Sequence, residues 1–399
     1  MTRNLKRFLK ILLYFALGFV LLKAAFIAYL VWFQPPLYFP KPTGSHAVGV
    51  KTYHWIDTSR LEILHHDPLH PHRELMVSIW YPAQGTLAEK PATPYAPELV
   101  SYLKKNHKKM WFLGFARPLY AYAQPEALIN TGSTRYPVIL FSHGSGVVRE
   151  SNTAQCEELA SHGYIVVSMS HPYNSYVTMF PDKHIADGEQ ALKERYNNPV
   201  DAKKLLDQDV EIRFADAQFV LKKLELLAHD TQSMFYERID QNNIGMFGHS
   251  LGGATTAQIC RRDARVKAGI NMDGTLYGTD PMKNIGKPLM FISHKESTSE
   301  KKMLQAQSAD VYSAVIKNMK HMGFTDFALF NTTSFFFRCL VKMNEIGDPG
   351  PMNGYRSTKI VNAYVLNFFD KYLKNNPSEL LDDNNKKYPE VEAQKWIQK

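Results

Sequence analysis

From residue 137 onward, short wholly apolar runs alternate with helix-periodic stretches. Residues 138–141, Val-Ile-Leu-Phe, form a run with no polar face, the pattern of a strand in a parallel sheet covered on both sides. The spacing predicts a helix over 152–161 and a strand over 164–169. Residues 170–199 are rich in Pro, Asn and Tyr and read as an irregular insertion above the sheet. A 3.6-residue apolar period predicts a long amphipathic helix over 200–227. A strand at 244–247, a helix at 254–261, strands at 268–272 and 289–293, a mixed segment to 320 and a helix at 358–373 complete the series. This alternation predicts one α/β domain, with a mostly parallel central sheet covered by helices.

Upstream of it, residues 48–55 and 75–80 alternate apolar and polar side chains, as antiparallel opening strands do. His65, His66, His70 and His72 lie between them. Interleaved prolines and the lack of a nearby cysteine favour a hairpin loop there over a metal site. Residues 82–97 read as loop. Residues 110–120 are unusually aromatic around Trp111 and too short to span a bilayer, which leaves core, a lid or a surface dipping into lipid. The catalytic domain is expected over 47–376, with a polar tail over 377–399.

At the N-terminus, Arg3, Lys6, Arg7 and Lys10 precede an apolar stretch over 11–33, broken only by Lys23. Its length suits a membrane span, and the preceding basic residues place the start in the cytoplasm. Residues 1–34 therefore read as an uncleaved signal anchor, a transmembrane helix exporting the rest to the periplasmic or extracellular side. A cleaved signal peptide is the competing reading and would release a secreted protein. Prolines at 35, 36, 40 and 42 stiffen a connector over 35–46.

The chain has 399 residues and a formal net charge of +9. Its basic residues are scattered among acidic ones, a solvated surface with a bias toward anionic membrane and not a nucleic-acid face. Three cysteines, Cys156, Cys260 and Cys339, argue against a disulfide framework; Cys156 and Cys260 read as buried free thiols.

The most informative motif is Gly248-His249-Ser250-Leu251-Gly252. It stands between an apolar strand and a helix, the context in which Gly-x-Ser-x-Gly means a nucleophile elbow. A serine hydroxyl needs a base, and the base needs an orienting carboxylate. In α/β-hydrolases these follow in the order serine, acid, histidine. Asp273 ends the next strand; its rival Asp280 sits in a Gly-Thr-Asp-Pro turn, where aspartate commonly caps amides. For the base, His294 is reachable at the end of the strand at 289–293, while His321, in a loop beyond that strand, is favoured. His249 reads as packing or a hydrogen bond behind the nucleophile. The oxyanion needs two amides, expected from Leu251 and from Ser145 in the loop Ser142-His143-Gly144-Ser145-Gly146. His143 reads as loop architecture. No metal or organic cofactor is called for.

Four segments carry a family resemblance: Pro137-Val138-Ile139-Leu140-Phe141-Ser142-His143-Gly144, Leu159-Ala160-Ser161-His162-Gly163-Tyr164-Ile165-Val166, Gly248-His249-Ser250-Leu251-Gly252-Gly253-Ala254-Thr255 and His321-Met322-Gly323-Phe324-Thr325-Asp326-Phe327. The chain resembles the platelet-activating factor acetylhydrolases of the lipoprotein-associated phospholipase type. That resemblance implies His321 as base, supports Asp273 as acid, and implies calcium-independent hydrolysis of short or oxidised sn-2 acyl esters of phospholipids. It also implies a lipid-docking role for the aromatic run near Trp111. Ser145 and Leu251 depart from the familiar pattern and bear on acyl preference. A general short-chain carboxylesterase or polyester hydrolase shares much of the pattern. A membrane-tethered lipid-binding protein without catalysis is disfavoured by the complete serine, acid and histidine set.

Overall fold

The computed structural model describes residues 3–32, 36–106, 119–132, 135–196, 201–296, 307–332, 347–382 and 387–396. They divide into two compact units, Met1–Tyr38 with Pro94–Tyr120, and Phe39–Thr93 with Ala121–Lys399. Most of the aromatic run at 110–120, and Cys339, lie outside the described residues.

In the first unit, helix α1 covers Arg3–Trp32. Its apolar stretch Arg7–Phe26 is 20 residues long and includes no buried residue; at 1.5 Å per residue it extends about 30 Å. Lys23 lies over the Phe19 ring one turn earlier, at 4.7 Å. The short strand Leu37–Tyr38 pairs in parallel with Leu119–Ala121.

The second unit is built on strands β1 (Ala47–Leu61), β2 (His72–Ala83), β3 (Tyr136–Ser142), β4 (Ile165–Met169), β5 (Val177–Met179), β6 (Ile185–Asp187), β7 (Ile239–His249), β8 (Val266–Met272), β9 (Leu289–Ser293), β10 (Val311–Ile316) and β11 (Val391–Trp396). The large sheet runs β11-β10-β9-β8-β7-β3-β4-β2-β1, ending on the short strand Gln124–Pro125. From β4 to β10 every pairing is parallel, and antiparallel strands flank that centre on both sides. The alternation Val138, Leu140 against Ile139, Phe141 sends successive apolar residues to opposite faces. Ile139 and Phe141 pack with Leu159, Phe368 and Phe369 on one face, Val138 and Leu140 with Val220, Leu224 and Ile259 on the other. The covering helices are α2 (Thr153–Ser161), α4 (Ala202–His229), α5 (Leu251–Arg262) and α6 (Gly354–Leu373), and α3 (Gly188–Tyr196) follows β6.

One expectation needs correction. The insertion at 170–199 is not wholly irregular, for β5 and β6 form an antiparallel hairpin followed by α3. The polar tail at 377–399 also carries secondary structure. It contributes a short helix, Glu379–Asp382, and β11, which pairs antiparallel with β10 and closes that sheet edge. Its alternating exposed and half-buried residues suit an edge strand, a pattern masked by its polar composition. Cys156 and Cys260 are buried free thiols, as expected.

Candidate active site

The elbow is set by close approach. A Cβ on Gly248 would lie 2.2 Å from the Gly252 backbone, and one on Gly252 would lie 1.9 Å from the Ser142 carbonyl oxygen. Only glycine lets β7 turn into α5 against the end of β3. Ser250 takes the strained conformation φ 54°, ψ −120°, of the kind that costs about 1–3 kcal/mol and clusters at functional sites. Its N–H donates to the Met272 carbonyl at 2.9 Å, which ties the elbow to the end of β8. Leu251 opens α5, so its amide belongs to the first turn, where N–H groups lack intrahelical acceptors.

Asp273 follows Met272, also at positive φ (55°), and its N–H donates to Ile292 at 2.7 Å. Its carboxylate accepts from His321 Nδ1 at 2.6 Å, from His294 Nδ1 at 2.8 and 2.9 Å, and from the His294 amide at 3.1 Å. Burial alone would raise the Asp273 carboxyl; these hydrogen bonds outweigh it and hold the pKa at about 2. An imidazole held through Nδ1 by an ionised carboxylate presents Nε2 as a proton acceptor. Both rival histidines meet this condition. Asp280 lies apart from the arrangement, in an exposed pair with Lys283. His321 opens a short 3₁₀ turn, His321–Phe324, where open loop was expected.

Ser145, Ser250, Leu251, Asp273, His294 and His321 line one cavity of about 450 Å³. His249 faces away from it, as expected. Its Nε2 donates to the His321 carbonyl at 2.9 Å, and the two rings lie 4.5 Å apart. Burial lowers the His249 pKa to about 3, so the ring is neutral at neutral pH.

The loop carrying Ser145 is held by buried charge. Arg213 on α4 donates to the His143 carbonyl and, at 2.8 Å, to Asn174 Oδ1. His143 Nδ1 donates to the Gly144 carbonyl at 2.6 Å, leaving Nε2 to accept from Ser175 Oγ at 2.8 Å. Burial, then the Arg213 charge, push the His143 pKa well below its usual range; it is loop architecture and no base. Beneath it, His171 bridges Ser142 Oγ (2.9 Å) and Asp216 (2.8 Å), and Asp216 is paired with Arg73 at 2.8 Å. Sequence reasoning missed Arg213, Asp216, His171 and Arg73. One signal was present: Asp209, Arg213 and Asp216 share the spacing of the apolar stripe of α4 and are all buried.

Strand order, the serine elbow and the covering helices define an α/β-hydrolase-like protein. A ferulic acid esterase from Streptomyces cinnamoneus has a similar solved structure (TM-score 0.72, 27% identity, covering 90% of this chain and 99% of that one). The family described as "Platelet-activating factor acetylhydrolase, isoform II" matches residues 32–391, and the chain belongs to it. A "Probable 1-alkyl-2-acetylglycerophosphocholine esterase" of Arthroderma benhamiae is 27% identical over 64% of this chain and 65% of its own length. A "Platelet-activating factor acetylhydrolase" of Cavia porcellus is 29% identical over 61% and 59%. The chain thus spans a little under two thirds of the length of these two relatives.

Proposed function

We propose that this chain is a serine esterase that hydrolyses short or oxidised sn-2 acyl esters of phospholipids. Ser250 Oγ attacks the ester carbonyl while His321 accepts its proton, and His321 then protonates the departing alcohol. Asp273 holds the His321 tautomer and stabilises the imidazolium. The amides of Leu251 and Ser145 receive the oxyanion. Water, activated by the same base, releases the acid from the acyl-enzyme. The observation carrying this is the Asp273–His321 contact at 2.6 Å in the cavity that also holds strained Ser250. The substrate class rests on family membership and on the names of the relatives. The apolar helix α1 supports a signal anchor, with the catalytic unit on the non-cytoplasmic side and the membrane as its partner surface.

The test is hydrolysis of a short sn-2 phosphatidylcholine without calcium, beside a soluble short-chain ester, by wild type, Ser250→Ala and His321→Ala. Phospholipid cleavage abolished in both variants is the expected result. Undiminished turnover in Ser250→Ala would refute the mechanism. A general short-chain carboxylesterase is the second reading, favoured by the extent of the likeness to the ferulic acid esterase. Cleavage of the soluble ester alone would select it.

A further inference from the structure

Away from the ester-hydrolysing cavity, the loop between β1 and β2 meets the tip of the β5–β6 hairpin. His70 comes from the loop; Asp182 and His184 come from the hairpin tip. One ligand atom from each lies within 4.8 Å of the other two. The His70 and His184 rings stack with centroids 3.6 Å apart, and Phe180 covers His184 at 4.0 Å. Asp182 also shapes its own turn, accepting from the His184 amide at 3.1 Å.

Behind the two rings sits Glu74, a buried carboxylate on β2. It faces His70 Nδ1 at 3.2 Å and His184 Nε2 at 3.9 Å, and it takes a hydrogen bond from His54 Nε2 at 2.6 Å. His70 Nε2 and His184 Nδ1 are thereby turned toward Asp182, at 3.8 and 2.5 Å. A carboxylate behind an imidazole whose other nitrogen looks into a shared space is the outer-shell arrangement of metal-bound histidine. The charges agree. Among the described residues, Glu74 and Asp182 form ion pairs only with imidazoles.

We propose that His70, His184 and Asp182 form a divalent metal site that clamps the β1–β2 loop to the β5–β6 hairpin, with Glu74 orienting the two imidazoles. Two imidazole nitrogens and one carboxylate oxygen suit zinc or another late first-row cation, not calcium or magnesium. Tetrahedral zinc, with bonds of about 2.0–2.2 Å, sets its ligand atoms about 3.4 Å apart; the Asp182–His184 pair, now at 2.5 Å, opens by about 1 Å while the wider spacings close, and the fourth position is left to water. The flanking strands β1 and β2 pair antiparallel with His70 in the loop between them, as the hairpin reading expected; the metal reading adds Asp182 and His184, which are remote from that loop in sequence. The site is independent of the esterase chemistry.

The experiment uses the untagged full chain in detergent, stripped with a chelator. Titration with Zn²⁺, and with Co²⁺ followed by its visible absorption, should show one site per chain with a tetrahedral cobalt spectrum. Zn²⁺ should raise the thermal unfolding midpoint, and chelator should reverse the rise. His70→Asn and His184→Asn should each weaken binding at least 100-fold, and Glu74→Gln about 10- to 100-fold. His66→Asn, on an exposed residue of the same loop, should bind as wild type does. Circular dichroism of each variant in chelator separates lost ligation from lost fold. No stoichiometric binding by wild type, or wild-type affinity in both His70→Asn and His184→Asn, would overturn the proposal.

Discussion

The ring of His249 donates a hydrogen bond to the backbone carbonyl of His321, 2.9 Å away. The residue preceding Ser250 in the elbow thus sets where the histidine turn lies. Since a carbonyl only accepts, His249 carries its proton on Nε2, and its low pKa of about 3 keeps it neutral. In His249→Phe the ring volume remains and the bond is lost. A displacement near 1 Å at a catalytic group can cost about 100-fold. Turnover of a soluble ester should therefore fall about 10- to 100-fold, with the unfolding midpoint little changed. Equal turnover in variant and wild type would remove the positioning role from His249.

Asp273 supports a prediction about pH. Its carboxyl is held at about 2, against an ordinary value of 3.8. Between those values the unfolded chain binds more protons than the folded one, so stability rises with pH through this window. The contribution is complete above about pH 4 and is lost as pH falls toward 2. It amounts to about 2 kcal/mol. Asp273→Asn should lack this acid limb in chemical denaturation between pH 2 and 5. At neutral pH the same variant should lose about 10⁴-fold in kcat, because an amide at this position holds the wrong imidazole tautomer. An acid limb identical to wild type would show that Asp273 is not the ionised partner.

His294 and His321 share one carboxylate, and paired variants separate their roles. His321→Ala should lower kcat by about 10⁴-fold or more. His294→Ala removes one ring hydrogen bond from Asp273 but keeps the backbone one. It should lower kcat only about tenfold and move the acid limb of stability upward, since one hydrogen bond holding Asp273 down is gone. If His294→Ala is the inactive variant, the base is His294.

The serine elbow, the alternation of central strands and helices, and the carboxylate at the end of β8 were legible because each depends on local sequence. Gly248 and Gly252 are demanded by steric contact within the turn, and Asp273 directly follows an apolar run. The Arg73–Asp216–His171 and Arg213–His143 links were not legible. They join residues far apart in sequence, and a buried charge looks like a surface charge until its partner is known. β11 was hidden for a related reason: an edge strand buries little, so its polar composition resembles a tail. The second histidine on Asp273 arises because β8 and β9 are neighbours, which places His294 beside a carboxylate 21 residues earlier.

Glu157, on α2, is a buried acid outside the lining of the Ser250 cavity. One carboxylate oxygen accepts from the Ala123 amide at 2.6 Å, and the other is buried with no protein partner among the described residues. Burial, only partly offset by backbone hydrogen bonds, raises its pKa from an ordinary value of 4.5 to about 8. Between those values the folded chain holds a proton that the unfolded chain has released. Stability therefore falls as pH rises through this window, by up to about 1.4 kcal/mol per pH unit. Glutamine keeps the shape of the protonated acid without the titration. Glu157→Gln should match wild type near pH 5, exceed it at pH 8, and flatten the slope between, as read by denaturant midpoints across that range. A variant that parallels wild type throughout would show that Glu157 is already ionised in the folded protein at pH 5.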